Sequence, residues 1–264
     1  MSDLTDNAAI LRLAEASNAY EPIGDDERLF VETGYVLFLG RGDDPRLNSV
    51  QYLRLSPAAV DTTIAEIRAR AREHGRHALM WEVARSATPA DLIERLRSLG
   101  MTPATPPLAV VMALRTPPPP PPPEIVVSRV ASIADFRAYV TITHEVFGML
   151  DRLDAELERI EREGSHDLAQ QQFVRYIASI DGQPIAAASA LFTDAGVMLH
   201  SGSTRPSARG RGAYRALVAA RWHDAAERGT PVAVTRAGPQ SQPILRQVGF
   251  QELTEINFLI DRFD

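Results

Sequence analysis

Thr204-Arg205-Pro206-Ser207-Ala208-Arg209-Gly210-Arg211-Gly212-Ala213-Tyr214 is the stretch that decides how this chain is read. A strand-like run, residues 197–204, leads into it, and a helical stretch, residues 212–228, leads out. A turn rich in glycine and arginine thus joins a strand to the first turn of a helix. The leading amides of a helix have no partner inside it. The helix dipole adds partial positive charge at the same end. Glycine lets a ligand approach the backbone closely and tolerates unusual dihedrals. The combination suits a phosphate or pyrophosphate, and Arg209 and Arg211 can add charge-assisted hydrogen bonds. Alone, the pattern also fits a surface turn with two arginines.

The segment after the helix tips the balance. A second strand, residues 231–236, is succeeded by the polar break Ala237-Gly238-Pro239-Gln240-Ser241. A short helix then ends in Ile244-Leu245-Arg246-Gln247-Val248-Gly249-Phe250. Arg209-Gly210-Arg211-Gly212-Ala213-Tyr214, with Val248-Gly249-Phe250 downstream, resembles the GNAT acetyltransferases, which bind acetyl-CoA. That family carries Arg/Gln-x-x-Gly-x-Gly/Ala in its pyrophosphate loop and a Leu-Gly-Phe-like tripeptide after a later helix. The last loop position here is Tyr214, where the family has Gly or Ala. Gly210 and Gly212, the glycines that matter for backbone approach, are kept.

The resemblance covers residues 124–264: strand, two helices, strand hairpin, strand, loop, helix, strand, helix, strand. It implies an α/β fold, a GNAT-like mixed and mostly antiparallel sheet flanked by helices. The hairpin is 173–180 and 185–192 around Asp181-Gly182, a dipeptide suited to a tight turn. Residues 133–147 and 150–163 read as the two helices, with Leu153, Leu157 and Ile160 as the second one's apolar stripe.

Pro117 to Pro123 are seven prolines in a row. Such a run favours polyproline II, a stiff spacer roughly 20 Å long at about 3.1 Å per residue. It sets the expected organisation: residues 1–116, a linker 117–123, and 124–264. In the first half, 4–19 has helical spacing and a turn lies around Pro22. Residues 35–39 and 50–55 read as strands. Residues 57–74 form an amphipathic helix with Val60, Ile64, Ile67 and Ala71 on one face. A strand with Trp81, a helix 90–99 and a strand 108–114 close the half. Helix, Leu99-Gly100-Met101 and closing strand echo helix, Val248-Gly249-Phe250 and closing strand. This half therefore reads as a degenerate GNAT-like copy with no arginine-glycine loop and no cofactor site of its own, or else as an unrelated α/β domain. Gly40 and Gly42 do not make a phosphate loop, because Asp43 and Asp44 beside them repel an anion.

Composition narrows the function classes. The chain has 264 residues, 45% of them hydrophobic, enough for two domains with real cores. A net charge of −6 argues against nucleic acid as the main partner. There is no cysteine, so thiolate metal sites and a Cys nucleophile are excluded, and no metal site is expected. All 28 basic residues are arginine, which removes Schiff-base chemistry and the P-loop lysine. The acidic start, Met1-Ser2-Asp3-Leu4-Thr5-Asp6, does not read as a signal peptide, and no apolar run has the length of a membrane span. Cytoplasm, with no membrane partner, is the expected location.

The resemblance implies an acyltransferase that moves an acetyl group from acetyl-CoA, as cosubstrate, to a primary amine of a small acceptor. The alternative is a non-catalytic CoA-binding sensor or regulatory protein. Pantetheine contacts map to Gly202, Ser203, Thr204 and Arg205, and pyrophosphate contacts to Arg209, Gly210, Arg211, Gly212, Ala213 and Tyr214. His200 is a candidate base; strict strand alternation puts it on the side of Gly202 and Thr204. Its more ordinary reading is a half-buried strand histidine satisfied by a neighbour. His144 and Glu145 are second candidates for the base. Many family members place a tyrosine acid four residues before the glycine of the tripeptide; that position is Leu245. Ser241, which also suits a helix cap, Tyr214 and Tyr176 are possible substitutes. The acceptor's identity and the oligomeric state are left open.

Overall fold

The computed structural model describes residues 7–20 and 24–264. The start of the first expected helix and the turn at Pro22 lie outside the described residues. The chain divides into two compact units. One comprises residues 7–112, 236–242 and 252–264, and the other 113–235 and 243–251.

In the first unit, helix α1 (Asn7–Glu15) precedes strands β1 (Arg28–Val31), β2 (Val36–Leu39) and β3 (Asn48–Gln51). Helix α2 (Val60–Glu73), strand β4 (Ala78–Ala84), helix α3 (Leu92–Ser98) and strand β5 (Thr102–Leu114) come after them. The apolar stripe Val60, Ile64, Ile67 and Ala71 is buried as its spacing requires, against Leu37, Leu39, Val50, Leu79 and Trp81. Strand β5 begins six residues before the apolar run at Leu108. Pro103, Pro106 and Pro107 give that leading part no sheet-like signature, and its exposed positions tolerate their missing donors. The last strand of the chain, β11 (Gln251–Arg262), also belongs here. It pairs antiparallel with β4, from Ile256 opposite Ala84 to Arg262 opposite Ala78. Asp261, 1% exposed, accepts from Arg68 Nε and Nη2 at 2.9 and 2.7 Å and from Trp81 Nε1 at 3.3 Å.

The second unit starts with the proline run, which packs on it: Pro118 is buried, and the Ile125 amide donates to Pro122 O at 3.1 Å. Strand β6 (Val126–Arg129), helices α4 (Ile133–Phe147) and α5 (Leu153–Leu168), and strands β7 (Phe173–Ile180), β8 (Gln183–Thr193) and β9 (Gly196–Thr204) come next. Helix α6 (Ala213–Glu227), strand β10 (Ala233–Ala237) and helix α7 (Gln242–Val248) complete the series. The strands lie in the order β10-β9-β8-β7-β6, with only β10 against β9 parallel among these pairs. Ser132 and Asp135 form a reciprocal capping box at the start of α4. Asp181 and Gly182, at φ 51° and 73°, make the expected tight turn between β7 and β8.

The two faces of this sheet are distinct. Ile177 and Ala187 pack with Phe136, Val140, Ile142 and Ile160 of α4 and α5. Tyr176, the neighbour of Ile177, points the other way and donates to Asp224 of α6. That alternation places α4 and α5 on one face and α6 on the other.

Candidate functional site

Strand β9 pairs with β10 only at Val197–Ala233 and Met198–Val234. One further link, Thr235 Oγ1 to Leu199 O at 3.3 Å, ends the contact. From His200 onward β9 runs to Thr204 without pairing to β10, while β8 stays bonded on its other side. The two parallel strands splay, and Ser201 and Gly202 lie exposed in the opening. An extended amide-bearing ligand can pair with the free edge of β9 there.

Beyond the splay, Arg205 starts the turn. Its Nε donates to Glu145 at 3.0 Å and its Nη1 to Pro184 O at 3.1 Å. Arg205 and Glu145 thus bind each other and tie the turn to the end of α4. Arg209 and Arg211 are exposed, and among the described residues neither makes an ion pair. Gly210 and Gly212 have φ 78° and 89°, the left-handed region that favours glycine. Among the described residues, the N–H groups of 210–214 donate to no protein acceptor. Gly212 also meets the proline run. A Cβ there would stand 2.7 Å from Pro122 Cγ.

Tyr214 turns away from the loop. A Cβ on Gly202 would lie 2.7 Å from Tyr214 Cε2, so the ring occupies the space a side chain at 202 would fill. The large residue at 214 and the absent one at 202 are complementary. Burial raises the Tyr214 phenol's pKa and nearby Arg221 partly offsets this, so the phenol stays protonated at neutral pH.

The strict alternation expected for β9 does not hold. Ala187 faces Ser203, but Ser189 faces His200, so two steps on β8 match three on β9. The extra residue makes a bulge at Ser201, where φ is 49°. Gly202 points to α6, and Ala186 opposite Thr204 puts Thr204 on the same face. His200 points to the α4/α5 face, where its ring lies 6.1 Å from that of Phe173. Arg221 of α6, 1% exposed, fills the gap: its Nη1 donates to Ser189 O at 3.0 Å and His200 O at 3.4 Å. Burial without a carboxylate lowers its pKa. Sequence reasoning missed it, although an arginine inside Ala216-Leu217-Val218-Ala219-Ala220-Arg221-Trp222 is the visible sign.

Most of the other candidates are engaged within the protein. His144 Nδ1 bonds Val140 O at 3.0 Å within α4. Ser203 Oγ donates to Ala187 O at 3.1 Å, whereas the buried Thr204 Oγ1 has no partner. Ser241 Oγ donates to Gly238 O at 3.2 Å inside its own turn. Leu245 is fully buried. Tyr176 is held by Asp224 on the α6 face. No group of His, Asp and Glu suited to a metal ion occurs among the described residues.

No protein-family model and no curated protein matches the sequence. Solved structures match its fold over almost its whole length. A GCN5-related N-acetyltransferase from Kribbella flavida superposes with a TM-score of 0.73 at 21% identity, covering 97% of this chain and 96% of that one. The chain has the GCN5-related N-acetyltransferase, or GNAT, fold. A tandem GNAT protein from the clavulanic acid biosynthesis pathway matches at TM-score 0.63 and 15% identity, over 98% and 96% of the two chains. A GCN5-related N-acetyltransferase from Sphaerobacter thermophilus matches at 0.59 and 18%, over 99% and 93%. No helix among the described residues is long and apolar enough to cross a membrane.

Within the GNAT fold the two units differ where it counts. In the first, β3 pairs in parallel with β4 at Ser49–Met80 and Val50–Trp81, as β9 does with β10. The next stretch does not stay open. Arg54 bridges in parallel to Thr88, with Thr88 N donating to Leu53 O at 3.2 Å and Leu55 N to Thr88 O at 3.1 Å. Arg54 Nη2 also holds the buried Glu15 of α1 at 2.5 Å and Ser86 Oγ at 2.8 Å. The edge that is free on β9 is consumed here by the protein itself.

Proposed function

We propose that this protein is an acetyl-CoA-dependent N-acetyltransferase acting on a primary amine of a small acceptor, with one cofactor site per chain. The observation that carries the reading is the open β9–β10 splay leading into unpartnered amides at 210–214. The diphosphate of acetyl-CoA would sit on those amides with Arg209 and Arg211 beside it. Pantetheine would pair with the free edge at Gly202, Ser203 and Thr204. The first unit, its equivalent gap closed by Thr88, is proposed to be a GNAT-like half without a cofactor site. The second half and the proline run before it would form the transferase.

Acetyl-CoA supplies an activated thioester. The acceptor nitrogen, once neutral, attacks the carbonyl carbon; the carbon–sulfur bond breaks with its electron pair on sulfur, the nitrogen gives up a second proton as the amide forms, and the sulfur takes one. Among this chain's residues, His200 is the proposed base that removes the ammonium proton from the α4/α5 side. Tyr214, protonated on the α6 side, is the proposed acid. Ser241, already donating within its turn, is left with a structural role. Holding the reactants together contributes much of the rate.

The test is thiol release from acetyl-CoA over a panel of primary amines, with Tyr214→Phe and His200→Gln alongside. Amine-dependent turnover is expected, with each variant at least about 100-fold slower in kcat, in line with general acid–base contributions. Tight binding of acetyl-CoA without turnover on any amine would overturn the enzyme in favour of a CoA-binding sensor.

A further inference from the structure

On the α4/α5 face a polar row leads away from the proposed base His200 through two residues that the transfer reaction does not use. Arg175 on β7 faces Ser189 on β8, and Ser189 faces His200 on β9. The three residues stand side by side across three strands, at about 4.8 Å per strand. Ser189 is 0% exposed and its Oγ has no hydrogen-bond partner. The Arg175 guanidinium carbon lies 4.5 Å from the Phe136 ring centroid and 5.0 Å from that of Phe173. Those rings fix the guanidinium and strip water from its faces.

Among the described residues no carboxylate forms an ion pair with Arg175, and its one hydrogen bond is from Nη1 to Asp167 O at 3.3 Å. Burial lowers the pKa of its guanidinium. The nearby acids are engaged elsewhere: Arg159 binds Glu156 at 2.7 Å, Asp167 at 2.8 Å and Glu163 at 3.6 Å. Glu145 at the end of α4 is held by Arg205. The acids of α5 that would suit a polycationic acceptor are thus partly spent on an internal cation. A guanidinium with no carboxylate bound to it, beside a hydroxyl with no partner, favours an anion as the ligand.

We infer that the acceptor carries a carboxylate, recognised by Arg175 with Ser189 Oγ, while its amine lies toward His200 and the β9 bulge. The class is an amino acid or similar amino-carboxylate, and polyamines and other purely cationic amines are disfavoured. A guanidinium held between two rings offers its N–H edge, which fits a planar carboxylate in bidentate fashion. A hydroxyl already stripped of water gains its missing partner when the anion arrives. The inference rests on the transferase reading for the position of the amine, but not for the anion site.

Calorimetric titration tests it with α- and ω-amino acids, each paired with the amine that lacks its carboxylate, on the intact protein with and without CoA. At least one amino acid is expected to bind at least about 10-fold tighter than its partner amine. Arg175→Met, which keeps the apolar stem between the rings, should erase that gap. Arg175→Lys should keep part of it, and Ser189→Ala should narrow it. CoA affinity should be unchanged in all three. If no amino acid outbinds its amine, or if Arg175→Met leaves the gap intact, the inference is wrong. Should Arg175→Met not fold, the lysine and alanine variants decide by the same comparison. Loss of the CoA signal in wild type would sink the transferase reading separately, since the amino-acid comparison is read without CoA as well.

Discussion

Gly212→Glu combined with Arg209→Ala is expected to weaken acetyl-CoA binding by at least about 100-fold, roughly 2.7 kcal/mol. Three effects act together. Gly212 has φ 89°, a conformation that costs a side-chain-bearing residue about 1–2 kcal/mol. Its new Cβ would press on Pro122 Cγ at 2.7 Å, so the turn and the proline run must shift. A carboxylate then stands where the helix end would receive an anion, and one flanking cation is gone. Gly210→Glu is the companion variant. No atom lies within 4 Å of a Cβ there, so the loop keeps its packing and the change reads charge and backbone strain. Calorimetry with acetyl-CoA, and circular dichroism to verify folding, measure both. Wild-type affinity in the double variant would contradict the assignment.

Asp261→Ala should be the most destabilising single change discussed for the first unit. Arg68 and the indole of Trp81 converge on Asp261 from α2 and β4. The aspartate side chain is 2% exposed and the arginine side chain 21%. Removing the acid leaves a mostly buried guanidinium and an indole N–H without their acceptor. Breaking a buried pair from one side costs about 3–5 kcal/mol, and the partial exposure of Arg68 puts the expectation near the lower end. The urea midpoint should fall accordingly, and the loss should show in the Trp81 fluorescence. A change below about 1 kcal/mol would mean that the C-terminal strand is held mainly by its ladder with β4.

The second unit was largely legible because its signals are local. Helix α4 runs Ile133–Phe147, the bounds expected from the sequence, and the hairpin turn sits at Asp181-Gly182. Gly210 and Gly212 take the left-handed backbone that glycines before a helix suggest. What stayed hidden depends on pairing between distant segments. The bulge at Ser201 is a register event between β8 and β9, and no single-strand pattern encodes it. It reverses the facing of His200 relative to Gly202. Arg175 carries no local mark of its place against two rings, and the apolar run around Arg221 does not tell that it sits beneath the bulge. Closure of the first unit's gap by Thr88 rests on contacts more than thirty residues apart, out of reach of any motif. The pairing of β11 with β4 spans a still longer separation, and the element order near the C-terminus carries no mark of it.

Where the diphosphate binds is decisive, and a crystal structure of the protein with acetyl-CoA measures that directly. Phosphate oxygens are expected about 3 Å from the amide nitrogens of 210–214, with the pantetheine amides paired along Gly202 to Thr204. A single cofactor per chain should be seen. A nucleotide tail lodged elsewhere, or a second molecule prising Thr88 from Leu53 and Leu55, would contradict it.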